Sequence, residues 1–408
     1  MNQAESMVPV EAGERINEID IVRGIALLGI LMVNMAFFKH PVFEARLPHH
    51  FAGNIEQFSA WFIQLFFTGN FYAIFSFLFG LGFYIFMERT LKKGYVLLPL
   101  YRRRLLVLMA FGLLHLFLLW SGDILLTYAL VGFILLAFRN ASLESIKKWI
   151  IGLFAASIFL NLFFALLQGM GKIFAPDKFQ LMMDELTNTA FLVYTEGTFI
   201  ELISFRIANE VPYVLFSLLL WIPQVLAFFL CGLYAGKLKI FSNISAHISL
   251  FKRLRTWGLI IGGSLLLFYF LIGTSVIPLH NLLGTTLLYG INYTASIFIF
   301  PAYASSIVLG AQTGLGQKLL SPLAAAGKMA LTNYLSQTAI CMMLFYGIGF
   351  GLYGTVTLSQ GIMITLAIYV VQIIWSNIWF KRFRYGPLEW FWRLLTYKKK
   401  QPFLILDK

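Results

Sequence analysis

The stretch "DIVRGIALLGILMVNM", Asp20 to Met35, decides how the rest of the chain is read. Asp20 and Arg23 stand at one end, Asn34 at the other, and everything from Gly24 to Val33 is apolar. Continued to Phe38, the run approaches the ~20 residues an α-helix needs to cross a bilayer. Similar runs recur along all 408 residues, of which 59% are hydrophobic and 12% charged. Mean hydropathy is +0.79, and a soluble domain carries about twice that share of charge. The fold class is therefore all-α, a polytopic integral membrane protein in which residues 1–408 form a single membrane domain. A β-barrel would show weak alternation instead of long apolar blocks.

We read ten transmembrane helices, over 19–38, 69–88, 101–120, 122–139, 146–169, 211–236, 254–273, 289–311, 321–346 and 357–380. Residues 54–68 exceed what the second span needs. They are expected to form an interfacial helix or a shallow entry ended at Gly69-Asn70. Of the 31 Lys and Arg, only Lys39, Arg46, Lys172, Lys178 and Arg206 fall on one side. The positive-inside rule places the opposite side, with both termini, in the cytoplasm. This sorting onto alternate loops accounts for the net charge of +13 without nucleic acid as a partner. The implied partner is the lipid bilayer.

The N-terminal segment is acidic (Glu5, Glu11, Glu14, Glu18) and shows no basic start or cleavage site, so the first span is expected to be retained. Segment 170–210 is expected to lie outside as short helices, with Glu201 and Arg206 as candidate site residues. Cys231 and Cys341 sit in apolar segments and suggest neither a disulfide framework nor a metal site. The histidines of "HPVFEARLPHH" (His40, His49, His50) lack zinc-ligand spacing. His247 falls in a basic loop and His280 outside. Neither an internal repeat nor paired interrupted helices are visible, and P-loop, HExxH and GxSxG motifs are missing.

Polar residues inside the apolar runs carry the functional signal, because the bilayer penalises them. Arg23 and Asn34 share one helix face, ~16 Å apart along the axis. Asp20 and Arg23 are spaced to pair at i,i+3. In "FGLLHLFLLWSGDILLTYAL", His115 lies ~20 Å from the start of its span. Asp123 follows at a tight turn, where it suits the role of helix cap. Along a continuous helix the two would stand ~12 Å apart, too far to bond. In "GKMALTNYLSQT", Asn333, Tyr334 and Gln337 form a polar stripe that either glues helices or lines a site. The tail 381–408, with "KRFRYGPLEWFWRLLTYKKK", has the aromatic and basic composition of an interfacial anchor, and Glu389 is placed to open a short helix after Gly386-Pro387.

These motifs together resemble the YeiB-like family of bacterial inner-membrane proteins of unknown function. The resemblance rests on "DIVRGIALLGILMVN", "FSFLFGLGF", "GLLHLFLLWSGDILLTYALVG", "GKMALTNYLSQT" and "GPLEWFWRLLTY". One departure is Asn70, where relatives carry a lysine. The family is in turn distantly similar to the transmembrane acyltransferase superfamily, whose first helix carries an Arg followed after ten residues by a functional His. Here Arg23 is followed after ten residues by Asn34, so the base must come from elsewhere. His115 is the first candidate and His40 the reserve.

The superfamily resemblance implies acyl transfer from a cytoplasmic acyl-CoA-type donor to an acceptor at the outer face, with no permanently bound cofactor. In that scheme Arg23 and Arg102, Arg103 and Arg104 hold donor phosphates, with Asp20 beside them. His115 is general base or acyl carrier. Asp123 orients it or the acceptor, and Asn34 donates a hydrogen bond to the carbonyl oxygen. The competing expectation is a small-solute transporter whose path the same groups line.

Overall fold

A computed structural model describes residues 15–41, 53–174, 176–279 and 282–405. Glu5, Glu11, Glu14, Arg46, His49, His50 and His280 lie outside the described residues. In chain order the helices are α1 (Asn17–Lys39), α2 (Asn54–Phe66), α3 (Phe71–Lys92), α4 (Leu97–Leu114) and α5 (Leu125–Leu135). They continue with α6 (Leu143–Phe174), α7 (Pro176–Glu196), α8 (Phe199–Phe205), α9 (Val211–Lys237) and α10 (Ile248–Gly273). The last five are α11 (Leu282–Ala311), α12 (Gly314–Lys328), α13 (Ala330–Phe345), α14 (Leu358–Trp379) and α15 (Pro387–Tyr397). Among the described residues the only β pairing is an isolated bridge, Phe383–Leu404.

The protein is an all-α polytopic membrane protein. Among the described residues, seven helical stretches are long and apolar enough to cross a bilayer: 17–39, 54–92, 143–171, 199–237, 245–273, 286–311 and 358–379. Their burial differs sharply. The apolar window of α1 is 61% buried, that of α6 only 6%. Hence α1 is an axis of the bundle, packed on α3, α12, α13 and α14, whereas α6 is a rim helix held by α9 and α11.

Close helix approach depends on glycine. A Cβ on Gly80 of α3 would collide with the Phe229 carbonyl of α9, and one on Gly232 of α9 with the Phe77 carbonyl of α3. Small residues let backbones touch where lipid provides no hydrophobic drive to associate. The turn between α2 and α3 follows the expectation at Gly69-Asn70. Gly69 sits at φ 81°, a left-handed conformation that only glycine adopts cheaply.

Two sequence expectations need correction. The span 321–346 is not one helix: it breaks at Met329 (φ −117°, ψ 45°) into α12 and α13. A break exposes the first amides of the new helix. Glu389 of α15 meets them, accepting from Leu331 N at 2.7 Å and Thr332 N at 3.0 Å. Glu389 therefore caps α13 while standing in the first turn of α15, and the tail is a docked strap rather than a surface anchor alone. Secondly, segment 170–210 is not made only of short helices, because α7 runs 21 residues. Ala190 and Tyr194 bury the end of α7 against Tyr346 and Tyr353.

Candidate functional site

The site begins where α4 stops being an α-helix. Residues His115–Leu119 form a π-helical turn, closed by Trp120 N donating to His115 O at 2.8 Å. Trp120 is extended (φ −162°, ψ 137°), and the chain reverses into α5. The hairpin is tight because Gly112 faces the backbone of Leu126, where a Cβ would collide.

This reversal corrects the expected ~12 Å separation of His115 and Asp123, which assumed one continuous helix. Residues 120–124 are not helical, so the chain folds Asp123 back onto the ring. Asp123 Oδ2 lies 2.8 Å from His115 Nδ1. The other carboxylate oxygen accepts from Leu126 N at 2.7 Å. Asp123 therefore caps α5 as expected and also fixes the imidazole.

The second ring nitrogen is also occupied. His115 Nε2 lies 2.9 Å from Thr338 Oγ1 on α13. With Nδ1–H donating to Asp123, Nε2 is the acceptor of the Thr338 hydroxyl proton. Tyr334 packs tilted against the ring at 5.2 Å and donates its hydroxyl to Gly122 O at 3.2 Å. His115 has no solvent exposure, and Thr338 and Asp123 are buried with it. The arrangement is a carboxylate–imidazole–hydroxyl relay, the geometry that activates a hydroxyl for nucleophilic attack.

Thr338 is absent from the sequence candidates. The signal was its place one turn after Tyr334. The polar residues of α13 divide between two faces instead of forming one stripe. Tyr334 and Thr338 face the His115 turn. Asn333 and Gln337 face α14: Gln337 Nε2 donates to Gln372 Oε1 at 2.8 Å, and Asn333 Nδ2 to Ser376 Oγ at 3.2 Å. The latter pair glues helices.

The other candidates scatter. Arg23 pairs with Asp20 at 2.7 Å, as its i,i+3 spacing implies, and donates to Gly327 O at 3.4 Å, near the end of α12. Asn34 is half-buried, and no described hydrogen bond joins it to the His115 relay. His40 is the half-buried residue that ends α1. Of the three arginines opening α4, Arg102 is exposed. Arg103 donates to Thr396 O at 3.0 Å, and Arg104 stacks 3.8 Å from the Trp392 ring. The strap α15 thus occupies two of the three groups expected to hold donor phosphates. Burial lowers the pKa of Arg15, which lies near Asp20, Arg23 and Arg393. Glu201 is exposed and serves a capping box with Thr198, whose N–H it accepts at 2.7 Å.

Arg206 departs most from a surface residue. It is completely buried in a second π turn, Arg206–Glu210, between α8 and α9. Pro212 explains that turn. It has no amide, so the α-helical bond to Ala208 O cannot form, and Val211 N instead donates to Arg206 O. Arg206 Nη1 donates to Phe117 O at 3.3 Å. That carbonyl belongs to the His115 turn and has lost its helical partner because the helix ends at Trp120.

These features define a helical membrane protein with a closed, fully hydrogen-bonded histidine relay at the junction of α4, α5 and α13. The comparisons place it further. Residues 235–399 match the family described as Protein of unknown function (DUF418). The chain is 32% identical to the uncharacterized protein YxaH of Bacillus subtilis, over 97% of this chain and 98% of that protein. It is 32% identical to an uncharacterized 39.9 kDa protein encoded in the amylase 3' region of Bacillus acidopullulyticus, over 98% and 99%. Identity to the uncharacterized protein YeiB of Escherichia coli is 29%, over 95% and 98%. The chain belongs to this YeiB-like family of unknown function.

Proposed function

We propose that the protein is a membrane-embedded acyltransferase of the bacterial inner membrane, using an acyl-CoA-type donor. The observation that carries the reading is His115 held between Asp123 and Thr338, 2.8 Å and 2.9 Å away. Imidazole oriented by a carboxylate and aimed at a hydroxyl is suited to general-base activation. In this scheme His115 takes the Thr338 proton as Oγ1 attacks the thioester carbonyl. The C–S bond breaks and the thiol leaves with the proton from His115. The acyl-Thr338 ester is then attacked by an acceptor, whose proton returns through His115 to Oγ1.

The basic end of α4 supports donor entry: Arg102 is exposed, and Arg15 and Arg23 flank Asp20. The test is transfer from labelled acyl-CoA by purified protein in vesicles, comparing wild type with Thr338→Val and His115→Ala. A stable acyl group on Thr338, lost in Thr338→Val, is the expected result. No donor consumption with any acceptor pool by a folded wild type overturns it. Transport is the second reading. It draws on Gln224 Nε2 and Asn292 Nδ2, buried on α9 and α11 without hydrogen-bond partners. Solute flux into the same vesicles, without acyl transfer, would favour it.

A further inference from the structure

The tail after α14 concentrates positive charge without matching acid. Lys381, Arg382 and Arg384 follow the end of α14 at once, and Lys398, Lys399 and Lys400 follow α15; all six are exposed. Glu389 is the only acidic residue between Phe380 and Ile405, and it is turned inward. Its oxygens accept from Leu331 N, Thr332 N and the Thr332 hydroxyl at 2.7, 3.0 and 2.6 Å. The neighbouring helices α4, α13 and α14 contain no acidic residue. With the one carboxylate spent inside, the outer face of the tail carries a single sign of charge.

The fold gathers the two basic groups onto one support. Lys398 takes a left-handed conformation (φ 52°) that ends α15 and turns the chain back. Residues 403–405 then lie beside 382–384: Arg384 N donates to Phe403 O and Ile405 N to Arg382 O, both at 2.9 Å. Trp390 Nε1 closes the loop on Gln401 O, also at 2.9 Å. Phe383 packs between the rings of Trp379 and Phe403. The cations therefore stand on a braced loop.

Apolar side chains interrupt the same surface. Phe391 and Leu395, one turn apart on α15, are exposed, as are Leu404 and Ile405. The strap runs against α4 so that Thr396 O meets Arg103 and the Phe391 ring meets Phe111. Residues 103 and 111 are ~12 Å apart along a helix, so Phe391 reaches further along the bundle than the lysines do. A soluble polyanion would match the cations and leave Phe391 and Leu395 in water. A zwitterionic lipid would cover the apolar residues and set its own cation against the basic group. A lipid with a net negative head group satisfies both.

We propose that residues 381–405 bind anionic phospholipid, with Lys381, Arg382 and Lys398 to Lys400 at the phosphates and Phe391 and Leu395 among the acyl chains. The site does not depend on acyl transfer. Glu389 joins it to α13, so a lipid that holds the strap also holds the helix carrying Thr338.

The test is photolabelling of the full chain in phosphatidylcholine vesicles. Each preparation holds the same trace of a diazirine-bearing lipid, either phosphatidylglycerol or phosphatidylcholine, and modified peptides are mapped by mass spectrometry. The phosphatidylglycerol probe should label the strap about fivefold more than the phosphatidylcholine probe, the gain for one cation at an anionic head group. Phe159 and Phe163, exposed on the rim helix α6, should be labelled equally by both. Lys398→Gln, Lys399→Gln and Lys400→Gln together should bring the strap's ratio down toward one. About 1 M salt should do the same in wild type, because screening then acts over about 3 Å.

A ratio of one on the wild-type strap, a ratio unchanged by the lysine substitutions or by salt, or the same excess on α6 would each overturn the proposal. If the lysine variant fails to fold, the salt arm on wild type carries the test. Wild type should also melt at a higher temperature once phosphatidylglycerol is added, and the lysine variant should show less of that rise. Equal rises in the two would remove the link to α13.

Discussion

Two π-helical turns meet in this protein, and they are built to opposite standards. In His115–Leu119 every polar atom of the functional side chain is matched: both ring nitrogens of His115 have partners, and both oxygens of Asp123 are used. In Arg206–Glu210 the charged groups stand 3.8 Å apart, beyond hydrogen-bond length, beside the hydroxyl of Tyr194. One hydrogen bond, Arg206 to Phe117 O, joins the turns. A complete buried network fixes one geometry and specifies a packed state. The comparison teaches that the first turn holds one fixed hydrogen-bonded geometry, whereas the second holds a buried ion pair 3.8 Å apart beside the Tyr194 hydroxyl.

The largest predicted effect comes from breaking the complete turn. His115→Ala should lower acyl transfer by about 10²–10⁴-fold, the usual contribution of general acid–base catalysis. It also strands a buried carboxylate, so thermal melting should show a loss of about 3–5 kcal/mol. Asp123→Asn separates the two roles: the cap on Leu126 survives, while activity falls because the wrong tautomer is favoured. Equal activity in Asp123→Asn and wild type would make the relay structural.

Next in size is the scaffold that brings the turns together. Gly112→Ala drives a Cβ into the Leu126 backbone and should cost about 1–3 kcal/mol, read as a lower melting temperature with weakened transfer. If the melting curve is unchanged, the hairpin is looser than described.

Glu389→Ala removes the carboxylate from two amides of α13 and should cost about 0.5–2 kcal/mol. Burial pushes the Glu389 carboxyl above its usual range, while bonds from Thr332 and Leu331 oppose the rise. A raised folded pKa means its protonated form is favoured on folding. Its stabilising contribution is therefore complete below the unfolded carboxyl pKa of about 4.3 and is lost as pH rises through the folded value. Glu389→Gln should flatten that part of the melting-temperature profile. A profile identical to wild type would refute the titration.

The smallest contrast separates Arg104 from Arg102. Arg104→Ala loses the Trp392 stack, about 0.5–2 kcal/mol. Arg102→Ala should leave the melting temperature unchanged and raise only the donor KM. A stability loss in Arg102→Ala would remove it as a donor contact.

What could be read in the residues alone were the features with local causes. Long apolar runs announce membrane helices, because the bilayer thickness sets their length. Asp20 with Arg23, and Asp123 with Leu126, act across three residues, within the reach of one helical turn. His115 stood out because an ionisable group in an apolar run has to be justified. The fold decided everything that joins distant segments. Thr338 reaches His115 from 223 positions away, and Glu389 reaches Thr332 from 57. Arg206 could be named as a candidate in an external helical segment, but its contact with Phe117, 89 positions away, needed the fold. Apolar periodicity says that a helix will be buried, and bilayer physics says how long it must be. Which polar atoms then meet depends on where helices break and reverse, at Met329 and at Trp120, and only the packed structure holds that information.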